Sequence, residues 1–408
     1  MENIQKINKW LFVLLCFVLP FPRTVVLWVW VLWAISWLIE GRWLHRANLQ
    51  WGWRMMPSIL LAGWVIWLIL SLLWAGPNGH FPEPQISLLV FPLFALFGLN
   101  EHYDWKLCAK ALIIGSVVSF FMYGIILYEQ YPDYPIHHLF SQTLSEALKH
   151  RMLYNIILSV AIVPLFELRL HRDKYNQRRK EVSYRVGWWL CLGILLTTII
   201  ATGGRANLLS LIILGAVAIV MNIPRYKGWV AVGMIILSLV GCWLVWQLHP
   251  RMKQLTLDQV THVEDHYQDY TMEPRVLIWS VCIEHPQDYI GHGLGSGTIL
   301  SYLQPKYEAI GRQYFTQEKY KAHSQYLTIC MELGLVAMLL FIIGWVLIPT
   351  CFPKGLSRRF ILYVTLIFGL SMITDDNLSR LEGVIYFCMC LLLADVMAKE
   401  RNGKPLSD

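Results

Sequence analysis

Hydrophobicity along this chain breaks once. Apolar segments run with short interruptions from Trp10 to Leu248, a polar stretch from His249 to Ala322 intervenes, and three more apolar segments follow. Runs of about 17–25 mainly apolar residues are what a bilayer core demands of a helix. In lipid every backbone N–H and C=O needs an internal partner, and no alternating ten-residue pattern points to a barrel, so the spans are read as helices. Composition agrees: 56% of the 408 residues are hydrophobic and 15% are charged, against about 25% charged in an ordinary soluble domain. The chain is predicted to be an all-α polytopic membrane protein with its water-facing chemistry concentrated in one long loop.

Twelve spans are predicted, at 8–21, 24–40, 56–75, 85–99, 106–128, 152–170, 186–202, 206–221, 228–248, 325–348, 359–374 and 383–398. The first lacks a small-residue cleavage site after its apolar run and is read as an uncleaved span. Three regions follow: 1–248 with spans one to nine, 249–323 as the polar loop, and 324–408 with the last three spans and a tail. Basic residues crowd into alternate connections, such as Arg42, Arg46 and Arg54, the run from Arg169 to Arg185, and Lys354, Arg358 and Arg359. The opposite set holds only Arg23, Lys149, Arg151, Arg205 and Arg380. The positive-inside rule therefore places both termini in the cytoplasm and the 249–323 loop, which is exempt from the rule by its length, outside. The formal charge of +7 reflects this sorting and gives no reason to expect a nucleic-acid partner. Trp10, Trp28, Trp43, Trp51, Trp53, Trp74, Trp105 and Trp229 lie near span ends or in the short loops beside them, where Trp anchors at the headgroup level among membrane lipids.

Inside the loop, Pro274 to Ile283 reads as a helix with Pro in its first turn. Ile290 to Gly297 is a glycine-rich turn, and 300–307 reads as a second short helix. Of the nine Cys only Cys282 lies in the loop, so no disulfide framework is expected. Walker, GxGxxG-helix, HExxH and GxSxG signatures are absent.

Several residues could carry chemistry. Arg205 follows Gly203-Gly204 at the junction of spans seven and eight, either snorkelling to the interface or holding an anion beside a tight turn. Arg275 shares a helix face with Trp279, four residues on, and is either a solvated loop residue or a ligand group. His323 precedes Ser324-Gln325-Tyr326-Leu327 at the mouth of span ten, where an imidazole can act as a base near neutral pH or serve structure. His262 and His266 have metal-compatible spacing but no third ligand, and no metal or other cofactor is expected. Asp375 and Asp376, with Arg380 and Glu382 nearby, are read as loop capping and mutual pairing.

The order of these features resembles the O-antigen ligase family, whose superfamily also holds O-antigen polymerases and pilin oligosaccharyltransferases. The residues that carry the likeness are Gly203-Gly204-Arg205, Arg275 with Trp279, His285-Pro286, Ile290-Gly291-His292-Gly293-Leu294-Gly295, His323-Ser324-Gln325-Tyr326-Leu327 and Glu332-Leu333-Gly334. Gly204 stands where the family often has Ser, and Ser324 where it often has Asn. The resemblance implies a GT-C-like enzyme of the Gram-negative inner membrane with a periplasmic active site. It would transfer O-antigen polysaccharide from undecaprenyl diphosphate to a sugar hydroxyl of the lipid A-core, metal-independent and with inversion. It further implies Arg205 and Arg275 on the donor diphosphate and His323 on the acceptor hydroxyl, with Trp279, His292, Arg312 and Gln325 in support. A polymerase, a pilin-type O-oligosaccharyltransferase and a lipid-linked sugar transporter or flippase are the competing readings. The sequence leaves the oligomeric state open.

Overall fold

The computed structural model describes residues 2–41, 55–88, 103–133, 150–170, 181–202, 205–222, 232, 236 and 274–399. Among them every regular element is helical. The helices are α1 (Glu2–Val18), α2 (Arg23–Glu40), α3 (Met56–Ser71), α4 (Trp105–Gln130), α5 (Arg151–Leu170), α6 (Glu181–Ala201) and α7 (Arg205–Asn222). After the polar loop begins come α8 (Pro274–Ile283), α9 (Ile299–Ala309) and α10 (Gln313–Gln317). The chain then returns to the bundle with α11 (Gln325–Leu333), α12 (Leu335–Leu347), α13 (Leu356–Thr374) and α14 (Leu381–Lys399).

Local chemistry fixes several of these boundaries. Asp104 caps α4, accepting from the Lys106 N–H at 2.8 Å. Gly41 closes α2 in the left-handed conformation and returns its N–H to Leu38 O. The spans expected at 85–99 and 228–248 fall outside the described residues except for 85–88, 232 and 236, as does the loop before Pro274.

Six of the described helices are long and apolar enough to cross a bilayer: Arg23–Glu40, Trp105–Gln130, Met152–Arg169, Tyr184–Ala201, Leu356–Thr374 and Leu381–Ala398. Ile59–Ser71, Asn207–Ala218 and Leu335–Cys351 are shorter apolar helices. The molecule is a polytopic helical membrane protein. Within it α5 is central, packed against α4, α6, α7, α13 and α14. Of its apolar window 83% is buried, against 28% for that of α6, which distinguishes an interior helix from one that turns Trp189 and Leu190 outward. Exposed Trp28, Ile39, Ile125 and Val346 mark other outer faces, as expected where the solvent is hydrocarbon.

Helices α5 and α13 are joined at both ends. Near one end Arg359 donates from Nε and Nη2 to the two carboxylate oxygens of Glu167, at 3.0 and 2.9 Å. At the other, His150, just before α5, faces Asp375, just after α13, at 3.8 Å.

The expected span at 325–348 is two helices, divided at Gly334 (φ 88°). A methyl group there would collide with the Gly291 carbonyl, so the break is made by the glycine-rich turn pressing on the helix. Leu335 N donates to Ile290 O, Leu294 N to Met331 O and Gly295 N to Glu332 O. The same turn locks onto the segment after α3: Ser296 N donates to Ser71 Oγ and His80 N to Ser296 O. The second loop helix, expected over 300–307, spans Ile299–Ala309 and includes Pro305.

Residues 274–322 do not splay from the bundle. Leu277, Ile278, Val281, Cys282, Tyr289, Ile299, Leu303, Tyr307, Phe315 and Ala322 form a separate apolar core that includes Cys330 and Met331 of α11. Non-polar contact thus seats α8–α10 on the helix that His323 introduces.

Candidate functional site

His323 lies two residues before α11, with a left-handed backbone (φ 46°). A residue with a Cβ adopts that conformation at a cost of about 1–2 kcal/mol, and its surroundings hold it there. Trp279 Nε1 donates to Ala322 O at 3.1 Å, and the Tyr320 and His323 rings lie 5.3 Å apart between centroids. On the far side Ser324 caps α11, its Oγ accepting from Leu327 N at 3.5 Å. Gln325 is fully buried and ties α11 to the turn after α13: its N–H donates to Asp375 O, and its Oε1 accepts from Leu378 N at 2.8 Å.

That turn brings two carboxyl groups to the imidazole. His323, Asp375 and Asp376 place one donor atom each within 4.8 Å of one another. Asp375 Oδ1 accepts from the Asp376 N–H at 3.0 Å, while Oδ2 is buried without a hydrogen-bond partner and faces His150 Nδ1. Arg275 and Arg380 complete the group, and the charge of each acts on His323, His150 and Asp375.

The charges sort themselves by environment. Burial, aided by Arg275 and Arg380, holds the His323 pKa below its ordinary value against the pull of Asp375. His150 is pushed down to about 4, chiefly by burial, so both imidazoles are neutral near pH 7. Burial opposes the charge on Asp375, but His150, Arg380, the Asp376 N–H and Arg275 outweigh it and keep this carboxyl below its usual range. Asp376, raised to about 7 by burial and then by the charge of Asp375, is partly protonated. A neutral base beside an ionised carboxylate can take a proton and be stabilised once it has done so.

His323, Asp375 and Asp376 offer donor types that a divalent ion accepts. Two guanidinium groups already set positive charge against them, and a dication would add to it. The arrangement suits an anion held by Arg better than a cation.

The other sequence candidates divide. Arg275 and Trp279 share the inner face of α8 and reach the His323 segment. Arg205 opens α7, and its side chain lies outside the described residues. Its flanks are fixed at the same end of α5 as His150: Thr202 Oγ1 donates to Asn155 Oδ1 at 2.6 Å, and Asn207 Nδ2 to Met152 O at 3.1 Å. His292 is exposed, with its Nδ1 2.7 Å from Gly293 O and its ring against Trp74; Arg312 immediately precedes α10. Neither is among the charges acting on His323.

His150 was missed because it adjoins a polar connection with no motif of its own. Asp375 and Asp376 were read as capping groups. An adjacent acidic pair at the end of an apolar span, on the same side as His323, was the available signal.

Fold and cluster together define a polytopic helical membrane protein with a polar centre assembled from distant segments. Residues 190–342 match the family model described as O-antigen ligase. This stretch contains Arg205, Arg275 and His323 and is similar to the O-antigen ligase family. No curated protein matches the chain.

Proposed function

We propose that the protein is an O-antigen ligase that transfers polysaccharide from undecaprenyl diphosphate to a sugar hydroxyl of the lipid A-core, at the periplasmic face of a Gram-negative inner membrane. The observation that carries this reading is the convergence of Arg275, His323 and Asp375, remote in sequence, at one end of the bundle. In the proposed step the acceptor oxygen attacks the anomeric carbon from the face opposite the bond to phosphate. That carbon–oxygen bond breaks and its electron pair leaves on the lipid diphosphate. The hydroxyl proton passes to the neutral His323 imidazole, and Asp375 stabilises the imidazolium.

Arg275 and Arg205 would meet the charge that grows on the diphosphate, since a planar guanidinium fork matches phosphate oxygens. No metal is required in this scheme. Trp279 and Gln325 serve as positioning residues, through Ala322 and the 375–379 turn respectively.

The test compares lipopolysaccharide from a deletion strain carrying wild type, Arg205→Ala, Arg275→Ala or His323→Ala. Each variant should lose polymer-capped lipopolysaccharide and accumulate polymer on the carrier while remaining in the membrane. Arg275→Lys should fail as well. A normal ladder from any alanine variant would remove that residue's role, and single repeat units capping the core in the deletion strain would indicate a polymerase. Transfer by the purified protein in detergent separates an enzyme from a flippase, because transport needs a sealed membrane.

A further inference from the structure

The sequence suggests that Arg380 is engaged by its acidic neighbours. In the structure its side chain makes no hydrogen bond or ion pair with any described residue, and Nε is buried without a partner. Its backbone is ordered by the turn, donating to Asn377 O and accepting from Val384 N at the start of α14. Its charge nevertheless reaches His150, His323, Asp375 and Asp376. The guanidinium therefore stands among the site groups with Nε buried and none of its donors engaged by a described residue.

Buried donors without partners are uncommon, because leaving one unmade costs the desolvation of that group. Asp375 directs Oδ1 to the Asp376 N–H and Oδ2 toward His150, so this carboxylate is turned to other partners. Arg380 also immediately precedes the first turn of α14, where unsatisfied N–H groups and the helix dipole add positive potential. A phosphate group meets all three conditions: negative charge, hydrogen-bond acceptance and a fit to a planar fork.

We infer that Arg380 is a third guanidinium of the anion site, engaging the donor diphosphate together with Arg275. The assignment of the anion as donor rests on the function proposed above. Its consequence is that the diphosphate is held from two sides, by α8 of the loop and by the turn that carries the carboxylate of His323.

The experiment uses the full chain purified in detergent, with inorganic diphosphate as the binding probe and lipid-diphosphate-linked glycan as the donor. Arg380→Gln should weaken diphosphate binding and raise the donor KM by about 10- to 100-fold, the size expected for losing a charge-assisted contact, with the acceptor KM unchanged. Arg380→Lys should recover part of that loss, since it keeps the charge and lacks the fork.

Unchanged diphosphate binding in a normally melting Arg380→Gln protein would overturn the inference, as would absence of diphosphate binding by wild type. So would full recovery of donor KM in the Asp376→Asn/Arg380→Gln double variant, which would make Arg380 a counter-charge only. Should Arg380→Gln fail to fold, Arg380→Lys decides: unchanged binding and donor KM overturn the assignment. Diphosphate binding through Arg380 without glycan transfer would instead sink the proposed reaction and leave this assignment standing.

Discussion

His323 owes its protonation state to three charged neighbours and to burial, and each contribution has a sign. Burial comes first and lowers the pKa, Arg275 and Arg380 lower it further, and Asp375 raises it. The neutral form that can accept a proton therefore persists below the ordinary histidine value of about 6.5. In the proposed reaction the acid limb of kcat/KM should lie below that value in wild type. Arg380→Gln should move the limb up, because a charge opposing protonation is gone. Asp375→Asn should move it down and slow the reaction, because the imidazolium loses its partner; acid–base assistance of this kind is worth about 10²–10⁴-fold in rate. A pH–rate profile of the purified enzyme checks all three, and an identical limb in Asp375→Asn would dismiss the coupling. Arg275 and His323 were legible as candidates because unusual residue types stood at recognisable places. His150 and the partnering of Asp375 were not, since they depend on α5 and α13 meeting end to end.

Between elements, that meeting of α5 and α13 has a second clasp that contributes no chemistry. Glu167 and Arg359 form a two-pronged pair, with the carboxylate nearly wholly buried and the guanidinium side chain 29% exposed. Removing one partner leaves the other charge without compensation, which typically costs about 3–5 kcal/mol when buried; the partial exposure of Arg359 argues for the lower end. Glu167→Ala should depress the melting temperature of the purified protein more than Glu167→Ala/Arg359→Ala does. Equal depression would mean that the pair carries no coupling. Gly334 gives a related expectation. Any side chain there meets both the left-handed backbone and the Gly291 carbonyl, so Gly334→Ala should destabilise by about 1–3 kcal/mol and loosen the glycine-rich turn, read as earlier proteolysis near 290–297. The helices themselves were readable from apolar length. The interruption at Gly334 was not, because hydropathy records composition and the break is caused by a turn more than thirty residues earlier in the chain.

For the molecule as a whole, the sequence conveyed the helical membrane class. It did not convey that residues 274–322 build their own apolar core against α11, since that depends on long-range packing of residues that look scattered along the chain. The proposed orientation is testable through exposed positions at opposite ends of the bundle. A cysteine replacing Gln287 should react with a membrane-impermeant thiol reagent in spheroplasts, and one replacing Lys354 should react only after lysis; both side chains are exposed, while the native Cys282 is buried. Labelling of the second position in intact spheroplasts would reverse the topology. The family match ends at residue 342, yet Asp375, Asp376 and Arg380 come from beyond it and His150 from before it. Exchanging only the matched stretch between two relatives would separate the imidazole from its native carboxylate, so the smallest unit that transplants the intact cluster runs from His150 through α14.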